Sequence, residues 1–379
     1  MHIKTIGYVC HADPFNDRKD WSGTTYKLRE AIEMAGFHVV WIPYRKDTLL
    51  VLLARIRRKI VDLFSKGCYM GDVYYGPISK AYADSIDRSL IAQCDLLFFP
   101  GGEQIGLYLN TNKPFIVFGD STFPLMVGYQ WKGLARKFII SAEELCKQAS
   151  RKAICNIRAS QWALDSVIND YQCPPERCFT LELGPNLDSK DITFTKPYQG
   201  GPLNILFSGV RWVNKGGEVA FETVRLLRER GLDARLTVVG PPKKPSAIAD
   251  QDYVRFIGFL DKNSQEDYRR YIELYKQSHI FLLPTRMECA GVVFCEASAF
   301  GLPCYTYLTG GTGSYVVDGY NGRALPLSKG AEDFANTIIS DLNSNRYTLY
   351  RSNALRHHRE FLSWEAWGKR FAAIVSDLR

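Results

Sequence analysis

Short apolar runs rich in β-branched and aromatic residues alternate with stretches of helical periodicity along the whole chain. The apolar runs predict eleven β-strands, at Ile3–Cys10, His38–Pro43, Asp95–Phe99, Phe115–Phe118, Ala153–Ile157, Cys178–Leu183, Leu203–Ser208, Arg235–Val239, Val254–Ile257, Ile280–Leu283 and Pro303–Tyr307. Helices are predicted at Thr24–Ala35, Val219–Arg230 and Ser264–Gln277, and a glycine follows the first two, where a left-handed cap is expected. Alternating strands and helices predict parallel sheets with helices on both faces.

The alternation breaks once, at Asp188–Pro202, which is polar and carries Gly200-Gly201-Pro202. We interpret this stretch as the connection between two doubly wound α/β domains, residues 1–190 and 202–360, with residues 361–379 as a final helix. Sheets of this kind bind ligands beyond the carboxyl ends of their strands. We therefore expect both sets of strand ends to face a shared cleft.

Composition narrows the class of protein. The 379 residues are 46% hydrophobic and 23% charged, which is typical of two folded domains and excludes a mostly disordered chain. A net charge of +8 permits a phosphate-rich ligand without indicating nucleic acid.

Cysteine usage and apolar runs bear on the compartment. The ten cysteines include no CxxC pair and no zinc-ligand spacing, so we expect reduced thiols in the cytoplasm and no metal site. The first ten residues are typical of a β-strand rather than a signal peptide. No apolar run approaches the roughly 20 residues that span a bilayer.

Two glutamates stand out in Pro284–Cys304. Glu288 lies in the loop after a predicted strand, Gly291 follows, and a helix that begins near Val292 holds Glu296. Free N–H groups at a helix start bind phosphate or sugar oxygens, and carboxylates accept hydrogen bonds from ribose and hexose hydroxyls. The structural alternative is a surface Glu288 and a Glu296 that serves the helix dipole.

A second segment, Phe207–Leu227, reads as strand, loop and helix, with Lys215 and Gly216-Gly217 at the turn. A cation beside glycine amides at a helix start is well placed to hold a diphosphate. Arg211 lies in the same loop, where a solvated arginine is the alternative interpretation.

Together these segments resemble the retaining family 4 glycosyltransferases, which have the two-domain GT-B fold. The family signature is a glutamate, seven residues and a second glutamate, then a helix of small residues and Gly-x-Pro. Further stretches that resemble the family are Trp21–Thr24, Ala159–Ala163, Leu183–Leu187, Thr309–Gly322 and Phe361–Arg379. The departures are Cys289 in place of a common glycine, Val210 at the usual arginine position, and Asp120 near where many members have a histidine.

The resemblance implies a metal-independent, retaining hexosyltransferase without a cofactor. It would move a sugar from a UDP- or GDP-sugar to a hydroxyl acceptor, a saccharide or glycolipid, in polysaccharide or glycolipid synthesis. The implied catalytic residues are Lys215 and Arg211 at the leaving diphosphate, Glu288 at the transferred sugar, and Asp120 at sugar hydroxyls or the acceptor. The implied donor-binding residues are Gly23, Lys215, Gly291, Val292, Val293, Phe294 and Glu296, the last at the ribose.

The resemblance also implies a role for each domain: the first would bind the acceptor and the second would bind the donor. The final helix would pack back on the first domain. Asp120 has an alternative as a helix N-cap or turn residue, and a conventional tight turn is the alternative for Gly23. The alternatives for the whole protein are a nucleotide-sugar epimerase and a non-catalytic partner subunit with the same fold. A dinucleotide dehydrogenase is not favoured, because no GxGxxG follows a strand.

One segment outside the candidate site, Thr48–Lys66, predicts a basic amphipathic helix. Six apolar residues form a stripe at helical spacing, and cations occupy the other faces: Leu49, Leu52, Leu53, Ile56, Ile60 and Leu63, with Arg55, Arg58, Lys59 and Lys66. Core packing with a solvated basic face is the commoner explanation of such a pattern, and peripheral contact with an anionic membrane is the alternative.

Overall fold

The computed structural model describes residues 3–70, 72–248 and 251–378. Within them the strands are β1 (Thr5–Val9), β2 (His38–Ile42), β3 (Leu96–Pro100), β4 (Phe115–Gly119), β5 (Cys155–Arg158), β6 (Cys178–Thr180), β7 (Leu203–Ser208), β8 (Ala234–Val239), β9 (Val254–Gly258), β10 (Ile280–Leu283), β11 (Cys304–Tyr307) and β12 (Gly322–Leu325). The helices are α1 (Thr24–Met34), α2 (Leu49–Leu63), α3 (Gly76–Asp84), α4 (Arg88–Ala92), α5 (Phe123–Met126), α6 (Arg136–Lys152), α7 (Gln161–Asn169), α8 (Gly217–Glu229), α9 (Gln265–Lys276), α10 (Val292–Ala299), α11 (Ala331–Leu342), α12 (Arg346–Glu360) and α13 (Trp364–Asp377).

These strands form two six-stranded sheets in which neighbouring strands run parallel, as the alternating pattern predicts. The first sheet has the order β2-β1-β3-β4-β5-β6 and the second β12-β11-β10-β7-β8-β9. Each order reverses once, between β1 and β3 in the first sheet and between β7 and β10 in the second. Such a reversal opens a crevice at the carboxyl ends of the strands, because the loops on either side leave toward opposite faces.

The chain divides into two compact units, Met1–Leu181 with Gly368–Arg379, and Glu182–Trp367. The segment predicted as a connection, Asp188–Pro202, lies in the second unit. Its backbone is fixed there, since Asp188 N donates to Tyr268 Oη (2.8 Å) and Arg351 donates to both oxygens of Thr195 (2.5 and 2.9 Å).

Helix α13 begins in the second unit and ends in the first. At its start, Trp364 Nε1 donates to Pro185 O (2.8 Å). Farther along, the Phe371 ring is buried. Its centroid lies 5.8 Å from that of Phe37 and 5.7 Å from that of Phe98. The buried side chains of this helix end, Phe371 and Val375, therefore belong to the core of the first unit.

The structure differs from the predicted elements in two places. Strand β12 was not predicted: the chain turns at Asp318–Gly322, where Gly319 N donates to Gly322 O (2.9 Å), and then pairs with β11. Helix α2 forms where predicted, but its apolar stripe lies on the surface, so the core-packing interpretation is wrong. The ten cysteines are free thiols, and nine of them are buried.

Candidate functional site

Two loops of the second unit meet at the point where the strand order reverses. Residues 209–216 follow β7 and residues 284–291 follow β10, and these two strands are direct neighbours. Arg286 N donates to Asn214 O (3.0 Å), and Thr285 Oγ1 donates to the same oxygen (3.4 Å). The two loops therefore form one rigid rim at the position where α/β sheets bind ligands.

Gly216 is the residue that permits this close approach. It lies in the left-handed region at φ +72°, and a Cβ atom added there would lie 1.9 Å from Pro284 O. Its backbone starts α8, whose first N–H groups have no partner inside the helix. The requirement for glycine at this turn follows from the neighbouring loop, which is distant in sequence.

The two predicted polar side chains of these loops are in contact. Lys215 Nζ donates to Glu288 Oε2 as an ion pair, and the two side chains are only 24% and 15% exposed. Partial burial weakens solvent screening and strengthens the attraction. The arrangement places a cation and a carboxylate side by side, between two helix starts, where they can bind a phosphate and a sugar hydroxyl respectively.

Helix α10 begins as predicted at Val292, after Gly291 at φ +118°. The Phe294 N–H is already engaged, because it donates to Gly291 O (2.8 Å), and its ring is fully buried. Val292 and Val293 are partly exposed, and as the first residues of the helix they have no intrahelical acceptor for their N–H groups. These two amides are the ones that the helix start presents to a ligand.

Glu296 lies inside the helix with no solvent exposure. Its Oε2 accepts hydrogen bonds from Tyr271 Oη (2.7 Å) and Tyr275 Oη (3.0 Å), and its Oε1 accepts one from Lys262 Nζ (2.5 Å). The Lys262 ammonium also lies 4.6 Å from the centroid of the Tyr271 ring. A buried carboxylate with three donors is held in one orientation, as a ligand-binding group must be.

The tyrosines around Glu296 extend the network toward β7. Tyr271 Oη lies 3.0 Å from both Ser208 Oγ and Tyr275 Oη. Burial, followed by the charge of Glu296, raises the pKa of Tyr271 well above its usual value. Burial and the neighbouring Tyr271 do the same for the pKa of Tyr275. Both hydroxyls therefore stay protonated as donors.

The sequence interpretation missed Lys262, Tyr271 and Tyr275. The tyrosines carry a signal that was available, since a spacing of four residues places both on the buried face of α9. Lys262 lies in the loop after β9, and only the tertiary structure brings its ammonium to Glu296. Arg211 stays a prediction: it is exposed, and its carbonyl accepts a hydrogen bond from Lys215 N (2.9 Å).

The predicted residues of the first unit lie at the carboxyl ends of its strands. Gly23 is buried at φ +95° and caps α1, and Trp21 and Ser22 before it also have positive φ, at +48° and +59°. Asp120 follows β4 and its Oδ1 accepts a hydrogen bond from Ser121 Oγ (3.2 Å). The N-cap alternative for Asp120 is wrong, because the residue that caps α5 is Thr122.

Within residues 3–70, 72–248 and 251–378, no three side chains of His, Cys, Asp or Glu cluster in a way that could hold a metal ion. In the same part of the chain, no helix combines the length and apolar character needed to span a membrane.

Comparison with known proteins supports a glycosyltransferase relationship for the second unit. The family model of glycosyl transferases group 1 matches residues 202–344. Over 257 residues the chain is 24% identical to a D-inositol 3-phosphate glycosyltransferase of Corynebacterium aurimucosum, covering 62% of this chain and 60% of that protein. It is 26% identical over 213 residues to the amylovoran biosynthesis glycosyltransferase AmsK of Erwinia amylovora, covering 48% of this chain and 51% of that protein.

The curated relatives are therefore matched over only about half to three fifths of their own length. A solved structure extends the likeness in fold to the whole chain. HepE of Anabaena, solved in complex with UDP and glucose, superposes with a TM-score of 0.61 over 100% of both chains at 14% identity. The chain thus has the GT-B fold, with two Rossmann-like domains, and its second unit carries a segment that matches the glycosyl transferases group 1 family.

Proposed function

We propose that the protein is a retaining, metal-independent glycosyltransferase that moves a hexose from a nucleotide diphosphate sugar to a hydroxyl acceptor. The observation that carries the proposal is the Lys215–Glu288 pair between the helix starts of α8 and α10. The UDP and glucose bound by the solved relative support a nucleotide sugar donor, with a UDP- or GDP-sugar as the candidates.

Lys215 stabilises the charge that develops on the departing diphosphate as the glycosidic bond breaks. A fixed ammonium at low exposure does this without reorganisation, and preorganised charge of this kind is a large catalytic contribution. The N–H groups of Val292 and Val293 add donors for the donor phosphates or sugar, next to Gly291. Glu288 accepts hydrogen bonds from the transferred sugar and, through its contact with Lys215, holds the ammonium in place.

Glu296 binds the ribose of the donor in this proposal. Its Oε2 is occupied by two tyrosine hydroxyls, so the ribose hydroxyl must approach Oε1, which Lys262 now covers. Lys262 is partly exposed and sits on a loop, so it can turn aside as the nucleotide enters. Donor binding therefore exchanges one hydrogen bond of Glu296 for another and leaves the carboxylate satisfied.

The first unit is assigned to the acceptor, with Asp120 as the group that contacts sugar hydroxyls or the acceptor. A Gly23 amide and Arg211 are assigned to the donor diphosphate. The left-handed backbone from Trp21 to Gly23 supports a ligand-binding role for this loop, because non-glycine residues adopt positive φ at a cost in free energy and such strain clusters at ligand sites.

The acceptor is a saccharide or glycolipid in polysaccharide or glycolipid synthesis, as the similarity to the amylovoran enzyme supports. The buried free thiols support a cytoplasmic location.

The test combines binding and turnover in the full chain. A thermal-shift panel of UDP, GDP and their sugars identifies the base, and a transfer assay with the matching sugar follows the anomeric configuration of the product. Lys215→Ala is expected to lower turnover by about 10²–10³-fold. Lys137→Ala, an exposed lysine on α6, is the matched control and should leave turnover unchanged.

Three results would contradict the proposal in different ways. Unchanged turnover in Lys215→Ala removes the assigned role of the lysine. A new sugar formed from the donor alone indicates an epimerase. Absence of nucleotide binding in the unsubstituted chain favours a non-catalytic partner subunit.

A further inference from the structure

The surface of helix α2 carries an apolar stripe that the proposed function does not use. Its exposed side chains, from 46% to 86% accessible, follow one face of the helix and continue into the next residue: Leu49, Leu50, Leu52, Leu53, Ile56, Ile60, Leu63 and Phe64. The opposite face, which packs against the protein, is narrow, since Val51 and Ala54 are the buried residues of the helix. A soluble surface rarely exposes so many large apolar side chains in one row, and such a patch marks an interaction site.

Charges border the stripe on both sides. At 100° per residue, Arg57 and Lys59 lie on opposite edges of the apolar face, and both are exposed. Residues 45–66 carry seven Lys and Arg against two Asp. Both acids are engaged, Asp47 with Arg45 (3.2 Å) and Asp62 with Arg58 (2.9 Å).

The helix is held flat against its own unit. Asp62 Oδ1 accepts a hydrogen bond from Tyr69 N (2.7 Å), and Arg58 Nη1 donates to Tyr69 O (2.8 Å), so the polar inner face is tied to the following loop. Thr48 Oγ1 caps the first turn by accepting from Val51 N (3.3 Å). The apolar stripe is therefore presented along about 22 Å of fixed helix.

We propose that residues 45–66 dock the protein on an anionic lipid surface, with α2 lying in the plane of the interface. The apolar side chains enter the boundary between head groups and acyl chains, and Arg57 and Lys59 on the edges meet the lipid phosphates. Charge complementarity favours an anionic lipid over a second copy of this chain. If two copies paired through this segment, the seven Lys and Arg side chains of one would face the seven of the other and repel them. The inference does not depend on the proposed transfer activity.

Co-sedimentation of the full chain with vesicles tests the docking. Binding is expected to vesicles of phosphatidylcholine with phosphatidylglycerol at low salt, weaker binding at high salt, and little binding to phosphatidylcholine alone. Leu53→Glu with Ile60→Glu should reduce the affinity by more than about tenfold, since two apolar side chains no longer leave water. The matched control is Ile140→Glu with Leu349→Glu, two exposed apolar residues elsewhere, which should not change it.

A second pair of variants measures the charge contribution. Arg57→Gln with Lys59→Gln should weaken binding about thirtyfold at low salt, at roughly 1 kcal/mol for each cation near the surface. Arg136→Gln with Lys137→Gln, exposed cations on α6, is the control. All four pairs change exposed side chains, so their urea midpoints and nucleotide binding should match those of the unsubstituted chain.

The proposal is overturned by an absence of binding to anionic vesicles at low salt, or by binding that survives Leu53→Glu with Ile60→Glu. It is also overturned if sedimentation velocity shows a dimer that the same pair dissociates, because the stripe is then covered by a second copy. Loss of nucleotide binding alone, with vesicle binding intact, counts against the proposed transferase and not against docking.

Discussion

Glu296 is a carboxyl group without solvent exposure whose two oxygens accept three hydrogen bonds. Burial of such a group is costly unless its acceptors are satisfied, and here two tyrosine hydroxyls and an ammonium satisfy them. Tyr271, Tyr275 and Lys262 therefore position a group that the sequence singled out without its partners. In this network Oε1 is covered by Lys262, which is partly exposed and lies on a loop.

Glu296→Gln tests this assignment with a side chain of the same shape. The substitution removes the negative charge that holds Lys262 and places an amide donor against other donors. We expect UDP or GDP affinity, measured by titration calorimetry, to fall by about 10–100-fold, as for the loss of a hydrogen bond to a charged group.

Glu273→Gln is the control for this prediction, because Glu273 lies exposed on α9 and pairs with Lys276 on the surface (3.0 Å). Its nucleotide affinity should equal that of the unsubstituted chain. An unchanged nucleotide affinity in Glu296→Gln would contradict the assignment of Glu296 to the ribose. It would not affect the assignment of Lys215 to the diphosphate.

At the scale of elements, the site depends on two strand-to-helix connections that touch each other. The loops after β7 and β10 approach so closely that the turn at Gly216 has no room for a side chain beside Pro284 O. This contact brings the ammonium of Lys215 to Glu288, which is 73 positions away in sequence.

Gly216→Ala should therefore lower the free energy of unfolding by more than the left-handed backbone strain of an alanine does by itself. Gly231, just beyond the other end of α8, also has positive φ, at +88°, but a Cβ there meets no atom within 4 Å. Gly231→Ala is the matched control, carrying only the left-handed strain of about 1–2 kcal/mol. We expect Gly216→Ala to show the lower urea midpoint and weaker nucleotide binding, because the loop must move; equal midpoints for the two variants would contradict the close approach.

At the scale of the whole molecule, residues 368–378 belong to the same unit as residues 3–181, although they are distant in sequence. The buried Phe371 ring makes an aromatic contact with Phe37 and Phe98. The end of α13 thus packs into a core formed by residues from the first hundred positions.

Phe371→Ala tests this connection. Removal of a buried phenylalanine side chain should lower the free energy of unfolding by about 3–5 kcal/mol. Hydrogen exchange should speed up in α1 and β3, although the substitution lies at the opposite end of the sequence.

Phe361→Ala, at a phenylalanine that is 40% exposed, serves as the control and should have a much smaller effect. Faster exchange confined to residues 182–367 would show that the helix end does not support the first unit.

Much of the fold follows from local pattern. Ten of the eleven predicted strands begin and end within two residues of the observed ones, because buried parallel strands are short apolar runs that need no distant information. The exception is Cys178–Leu183, which ends at Thr180 as β6. Strand β12 was missed, since it is brief, begins with Gly322 and follows directly on a turn.

The sequence by itself determined the alternation of strands and helices, the glycines at helix starts, and the chemical groups of the candidate site, Lys215, Glu288 and Glu296. Each depends on spacing within one segment. Only the tertiary structure decided which groups touch: the Lys215–Glu288 pair, the Lys262 and tyrosine donors around Glu296, and the outward direction of the α2 stripe. The physical reason is that burial and pairing depend on packing between segments that are distant in sequence, and a hydrophobic period has the same appearance whether its apolar face meets a core or lies on the surface.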